Sequence, residues 1–145
     1  MERQNRISER ISEMLTECNL SAAELAKDIG VSVSSVRRWK RGTKYMRLFQ
    51  AVALADRFGC SLDYLTGRSD TYLDFTPRRR PPFYEQLRAI MNEKGVSRNR
   101  INRETRIKSS HFTDWKNGAE PHILSVIELA DYLDVSVDVL VGRDG

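Results

Sequence analysis

Six basic side chains and no acidic one fall within residues 32–47. A guanidinium can donate to both major-groove acceptors of guanine, and an apolar side chain can pack on the methyl group of thymine. Arginine and lysine also pair with phosphate. This segment is therefore able to contact a nucleic-acid duplex, although a run of cations is also typical of a solvated helix face. The six cations are Arg37, Arg38, Lys40, Arg41, Lys44 and Arg47.

Motifs for other kinds of chemistry are missing from the sequence. No Gly-rich phosphate loop, metal-ligand spacing or Ser/His/Asp set is recognisable, so we expect no enzyme activity, no catalytic residue, no metal and no cofactor. Cys18 and Cys60 are too few for a disulfide framework, and we expect both to be reduced and half-buried. No apolar stretch is long enough to span a membrane. We expect a cytoplasmic, nucleoid-associated protein without a small-molecule ligand.

The chain contains an internal repeat. A shift of 76 residues, which becomes 75 after one deleted residue, aligns residues 7–44 and 47–70 with the second half and gives 15 identities in 62 positions. Trp39 then aligns with Trp115, and Ser21 with Ser97. We therefore predict two copies of one module.

Between the copies the sequence changes in character. Residues 71–82 include Pro77, Pro81 and Pro82 and a run of three arginines at 78–80, a composition typical of a semi-rigid linker. The arginine run is also able to enter a minor groove, as basic arms do. The predicted domains are 1–70 and 83–145, joined by this linker at 71–82.

Within each copy the apolar spacing is helical. Ser21 predicts the start of a helix over 22–29, Gly30 its left-handed end, and Ser32 or Ser34 the start of a third helix that runs to Arg41. A fourth helix over 48–58 and a short fifth helix after Ser61 complete the module. The apolar positions predicted to face inward on the fourth helix are Phe49, Val52, Ala55 and Phe58. No strand pattern is present, so the predicted fold is all-α, with five helices per copy.

These elements resemble a known family. The run from Ser21 to Gly42, SAAELAKDIGVSVSSVRRWKRG, is similar to the Cro- and lambda-repressor-like (XRE-type) helix-turn-helix proteins of bacteria and phages. Residues 53–67 and, in the second copy, residues 113–118 and 127–142 resemble the same family. The resemblance implies two tandem lambda-repressor-like domains, each of which places its third helix in the major groove of double-stranded DNA.

The family pattern carries over residue by residue. In the first copy it implies phosphate contacts at Ser32, Arg41 and Lys44. It also implies base contacts at three positions, and the basic composition of the segment adds Arg37 to these. The residues expected at base edges are Val33, Ser34, Arg37 and Arg38, and in the second copy Ser109, Ser110, Thr113 and Asp114. The phosphate-contacting residues expected in the second copy are Arg98, Lys108 and Asn117.

The second copy departs from the pattern. Asn102 replaces a small Ala26, Arg106 replaces Gly30 at a turn that favours a positive φ, and Asp114 repels phosphate. Five cations nevertheless lie on or just after its second helix, with Glu104 the single acid among them. This copy is therefore either a second, weaker DNA-binding half or a degenerate copy kept for packing and pairing.

The sequence thus predicts a sequence-specific DNA-binding transcription regulator, most simply a repressor, whose two modules act as a pseudo-dimer. The alternative is a protein-interaction or antitoxin-like module in which only the first copy, or neither, reads DNA. Self-association through the last helices, at Tyr64, Val139 and Val141, is a further expectation from the resemblance; ordinary core positions are the other interpretation of these residues.

Overall fold

The computed structural model describes residues 2–42, 46–74 and 79–143. Over these ranges the chain is helical, with ten helices and a single isolated β-bridge between Cys60 and Asp74. The chain divides into two compact units, Met1–Pro77 (unit 1) and Arg78–Gly145 (unit 2). Within the described residues, the all-α class predicted from the sequence is confirmed.

Each unit contains five helices in the described residues. Those of unit 1 are α1 (Glu2–Glu17), α2 (Ala22–Ile29), α3 (Val33–Arg41), α4 (Leu48–Phe58) and α5 (Leu62–Leu65). Those of unit 2 are α6 (Phe83–Lys94), α7 (Arg98–Glu104), α8 (Ser109–Lys116), α9 (Ile123–Leu133) and α10 (Val137–Val141).

Local capping explains where α2 and α3 begin and end. The Ser21 hydroxyl accepts from the Glu24 amide, the Glu24 carboxylate accepts from the Ser21 amide, and Gly30 ends α2 in the left-handed region at φ 73°. Ser32, of the two candidates, then caps α3 by accepting from the Ser35 amide. These bonds satisfy backbone groups that a helix end leaves free. The predicted boundaries of both helices are confirmed.

The orientation predicted for α4 is partly wrong. Ala55 and Phe58 are buried as expected, but Phe49 is 51% exposed and Val52 is half-buried. The buried stripe of this helix is Leu48, Ala51, Leu54, Ala55 and Phe58. The stripe is offset by one residue at its start because Leu48, the first helical residue, already faces the core.

A polar side chain from the first helix of each unit binds the last helix of that unit. In unit 1 the Arg10 guanidinium lies 4.0 Å from the centroid of the Tyr64 ring, and its Nε donates to the Tyr64 carbonyl over 2.9 Å. In unit 2 the Gln86 amide donates to the Val139 carbonyl over 3.1 Å. The two donors and the two carbonyls occupy matching positions of the repeat, so both units join their ends in the same way.

The turn after α7 differs from the turn after α2. Arg106 does not adopt a positive φ; α7 ends at Glu104, and Thr105 is extended at φ −132°. The Thr105 hydroxyl donates to the Ile101 carbonyl and accepts from the Ile107 amide, while the Arg106 amide donates to the Glu128 carboxylate over 2.8 Å. Threonine and glutamate thus satisfy the backbone of this turn without a left-handed residue.

Both ends of the predicted linker make contacts within the unit next to them. Tyr72 donates to the Phe58 carbonyl over 2.7 Å, and Asp74 bridges to Cys60. On the other side, Arg80 pairs with Glu120 over 2.9 Å, with 17% of its side chain exposed. Arg80 is therefore neither a solvated linker residue nor a groove-entering arm in this structure. Residues 75–78, which include Arg78, lie outside the described residues.

The two cysteines differ in burial. Cys60 is fully buried and Cys18 is exposed, so the expectation of two half-buried thiols is wrong for both. Neither cysteine forms a disulfide bond with another described residue. None of the helices in the described part of the chain is long and apolar enough to cross a membrane.

Candidate nucleic-acid interface

Helix α3 has one buried face and one exposed, basic face. Ser35, Val36 and Trp39 are buried and pack this helix against α1 and α2. Ser8 of α1 donates to the Trp39 carbonyl over 2.6 Å, which fixes the helix further. The exposed face carries the residues Ser34, Arg37, Arg38, Lys40 and Arg41. Helix α3 contains no acidic residue, so this face has a uniform positive sign.

The described members of the predicted contact set in unit 1 lie at the start of α3 and along its outer face. Val33 is half-buried, while Ser34, Arg37, Arg38 and Arg41 are exposed. The Ser32 hydroxyl caps the helix and lies 3.1 Å from that of Ser34. Lys44 lies outside the described residues.

The positive charges of unit 1 are of two kinds. Arg57 pairs with Asp28 over 2.9 Å, and Arg68 pairs with Asp63 over 2.7 Å. Arg37 and Arg41, by contrast, make no ion pair or hydrogen bond with the residues the structure describes. An unpaired guanidinium keeps all its donors for a ligand. The outer face of α3 thus exposes, at Arg37 and Arg41, positive charge that is not paired with any described residue.

The corresponding face of unit 2 is exposed but chemically different. Ser109, Ser110, Thr113 and Asp114 are all exposed on α8, while Phe112 and Trp115 are buried beneath them. The two predicted phosphate contacts at the ends of this helix, Lys108 and Asn117, are exposed as well. This face carries hydroxyls and one carboxylate where unit 1 carries guanidinium groups.

Arg98, the third predicted phosphate contact of unit 2, bonds to α8. Its Nη2 donates to the Ser109 carbonyl over 2.9 Å and to the Thr113 hydroxyl over 3.3 Å. The guanidinium carbon lies 5.1 Å from the centroid of the Phe112 ring. Thr113 in turn donates its hydroxyl to the Ser109 carbonyl. The arginine is therefore held in a fixed position beside the outer face of α8.

Asn102 makes a second link between α7 and α8. Its side-chain amide donates to the Ser109 hydroxyl over 2.8 Å, while its Oδ1 is buried without a partner among the described residues. The matching positions of unit 1 hold Ala22 and Ala26, which have no polar side chain. The bonds from Arg98 and Asn102 to α8 thus have no counterpart in unit 1.

Two residues of unit 2 were not singled out from the sequence as contacts. Arg88 and Tyr84 line a pocket of about 340 Å³ together with Arg98 and Phe112. Arg88 donates to the Tyr84 hydroxyl over 3.1 Å and has no carboxylate partner among the described residues. Little in the sequence indicated a role for Tyr84 and Arg88, because the matching positions of the first copy are Ser8 and Ser12.

Histidine has a structural role at α8. The His111 Nδ1 accepts from the Lys108 amide over 2.9 Å, which satisfies a backbone donor at the start of the helix. In the described part of the chain, no three His, Cys, Asp or Glu side chains come together as metal ligands would.

Comparison with known protein families gives a match in the first half of the chain. Residues 11–65 match the family model described as Helix-turn-helix. The match begins within α1 and ends at the last residue of α5, so it lies entirely in unit 1. The search of curated proteins finds no matching sequence. The family match supports a DNA-binding transcription regulator, and proteins of this family are typically non-enzymatic.

Proposed function

We propose that this protein is a sequence-specific regulator of transcription, most simply a repressor, that binds double-stranded DNA. Unit 1 places α3 in the major groove, with Val33, Ser34, Arg37 and Arg38 toward base edges. Ser32, Arg41 and Lys44 contact the phosphates on either side. Unit 2 binds the same duplex, so that one chain acts as a pseudo-dimer on an asymmetric site.

The observation that carries this proposal is the division of α3 into two faces. Val36 and Trp39 are fully buried, while Arg37, Arg38 and Arg41 are exposed on a helix without acidic residues. A helix face that is only exposed to solvent can carry acidic and basic side chains together, whereas this face carries basic charges alone. A helix held by its apolar side, with guanidinium groups outward, has the geometry that base and phosphate contacts require.

The test is selection of random duplex DNA by the intact protein, followed by sequencing of the bound fraction. The wild-type chain is compared with the double variant Arg37→Glu/Arg38→Glu. We expect an enriched motif for wild type and at least a hundredfold weaker binding for the variant, because two contacts become repulsive. Circular dichroism verifies that the fold of the variant is intact.

A matched control separates base reading from simple charge. Arg37→Lys/Arg38→Lys keeps both positive charges but loses the planar fork that binds guanine through two bonds. This variant is expected to keep the salt dependence of binding and to lose preference for the motif. Unchanged DNA binding by the charge-reversed variant would contradict the assignment of α3 as the reader.

One observation favours a second candidate, the protein-interaction module. Asp114 is exposed on the outer face of α8, where a carboxylate repels a phosphate backbone. If the selection enriches no DNA sequence and the wild-type chain binds no duplex, a protein partner becomes the better explanation of both basic and acidic faces.

A further inference from the structure

We propose that unit 2 holds a phosphate-binding site formed by Arg88 and Arg98, and that it grips the DNA backbone there without reading bases. The inference rests on the proposed function, because it takes the phosphate to be that of a duplex bound by unit 1. It assigns the two units different tasks: unit 1 reads the sequence, and unit 2 adds affinity that does not depend on sequence.

The first step of the argument is that Arg98 is already positioned. Bonds from Nη2 to Ser109 and Thr113 fix the guanidinium, and the Phe112 ring supports it. The remaining N–H groups, on Nε and Nη1, have no partner among the described residues. A guanidinium with unused N–H donors can bind a phosphate oxygen, and its fixed position lowers the entropic cost of doing so.

The second step is that bonds from α7 also involve two of the four side chains expected to read bases, Ser109 and Thr113. Thr113 donates its only hydroxyl proton to the Ser109 carbonyl and accepts from Arg98. The Ser109 hydroxyl accepts from Asn102. A base edge would compete with these bonds at Ser109 and Thr113, whereas Arg37 in unit 1 has no such bond to give up. The exchange of Ala22 and Ala26 for Arg98 and Asn102 thus ties Ser109 and Thr113 to α7.

The third step is that a second guanidinium lines the same pocket. Arg88 contributes to the pocket of about 340 Å³ with Arg98, and neither has a carboxylate partner in the described part of unit 2. Arg80, Arg100 and Arg143 of this unit each pair with an acid, whereas the guanidinium groups of Arg103 and Arg106, like those of Arg88 and Arg98, have no acidic partner among the described residues. Two positive groups lining one pocket favour an anion as its occupant, and phosphate is the anion that a duplex presents.

The experiment measures binding of the full chain to the selected duplex and to an unrelated duplex over a range of salt concentrations. Arg98→Ala and Arg88→Ala are each expected to weaken binding to both duplexes by the same factor. Each loss of a phosphate contact makes the slope of log K against log salt shallower by about 0.9. Thr113→Val is expected to leave the selected motif unchanged.

Arg100→Ala serves as the matched control, because Arg100 lies on the same helix, has the same charge and already pairs with Glu104. Its salt slope is expected to equal that of wild type. Arg88 is exposed, so its variant keeps the test valid should Arg98→Ala unfold unit 2.

Three results would overturn the proposal. The slope could stay unchanged in both variants, or Thr113→Val or Arg98→Ala could alter the selected motif, which would show base reading by unit 2. Inorganic phosphate, added at constant ionic strength without DNA, could bind wild type but not Arg98→Ala while the DNA slope stays constant. The site would then take a free phosphate. A wild-type chain that binds no duplex would instead contradict the proposed function itself.

Discussion

At the scale of single residues, one ion pair occurs at matching positions of both units. Asp63 pairs with Arg68 and Asp138 pairs with Arg143, each five residues apart around the last helix. In unit 2 the pair is almost fully buried, with 1% of the arginine side chain and 3% of the aspartate side chain exposed. The repeat aligns all four residues, but burial of the pair depends on how α10 packs and could not be predicted from spacing.

Removing the buried arginine should destabilise unit 2 strongly. Arg143→Met leaves the Asp138 carboxylate in the core without this cation, and loss of one partner of a buried pair costs about 3–5 kcal/mol. Hydrogen exchange of backbone amides, measured by mass spectrometry, should report this loss in peptides of α6 and α10.

The control for this prediction is Arg57→Met, which removes the more exposed pair with Asp28, where both side chains are more than a third exposed. Exposed pairs contribute at most about 1 kcal/mol. If Arg143→Met costs no more than Arg57→Met, the Arg143 site is more hydrated in solution than the structure indicates.

At the scale of elements, the turn between α7 and α8 leads to a prediction about the stability of a glycine variant. The family pattern suggests that glycine would suit this turn, but the structure predicts that it would destabilise unit 2. Glycine at position 106 would match Gly30 of the first copy, but the chain here has no positive φ to relieve. Arg106→Gly should therefore lower the stability of unit 2 by about 0.5–1 kcal/mol, because glycine gains freedom mainly in the unfolded chain. Urea denaturation measures this change.

The reverse test, which removes a glycine at the matching position of unit 1, is Gly30→Ala. A Cβ at Gly30 meets no atom within 4 Å, so its cost comes from the left-handed backbone alone, about 1–2 kcal/mol. Both substitutions should destabilise, although they exchange glycine in opposite directions. A stabilised Arg106→Gly protein would show that the turn of unit 2 adopts the left-handed form in solution.

The elements also show why some features followed from the sequence and others did not. The bounds of α2 and the end of α3 were predicted to the residue, and the start of α3 was narrowed to Ser32 or Ser34, because such caps act locally through bonds to nearby backbone. The buried face of α4 was predicted incorrectly at Phe49 because the apolar spacing fits Phe49 as well as Leu48, and only tertiary packing decides which of the two is buried. The bonds of Arg98 were missed because they join residues 11 and 15 positions apart.

At the scale of the whole molecule, the chain between the two units is shorter than its composition implies. The sequence alone placed the linker at 71–82. Asp74 is bridged within unit 1, however, and Arg80 is ion-paired within unit 2. Six residue steps separate these two points, and a fully extended chain of that length spans about 20 Å. When two binding units are joined by a short chain, binding of the first raises the effective concentration of the second at the same duplex.

Lengthening this tether should weaken binding only where both units take part. A twelve-residue Gly-Ser insertion after Pro77 triples the number of residue steps between Asp74 and Arg80. Effective concentration falls roughly as the −3/2 power of linker length. Affinity for a duplex long enough for both units should therefore fall about fivefold, as measured by fluorescence anisotropy. Affinity for a short duplex that covers only the unit 1 motif should not change. Equal affinity of the original and lengthened chains for the long duplex would mean that the units bind DNA independently, and the pseudo-dimer would have to be abandoned while DNA reading by unit 1 stood.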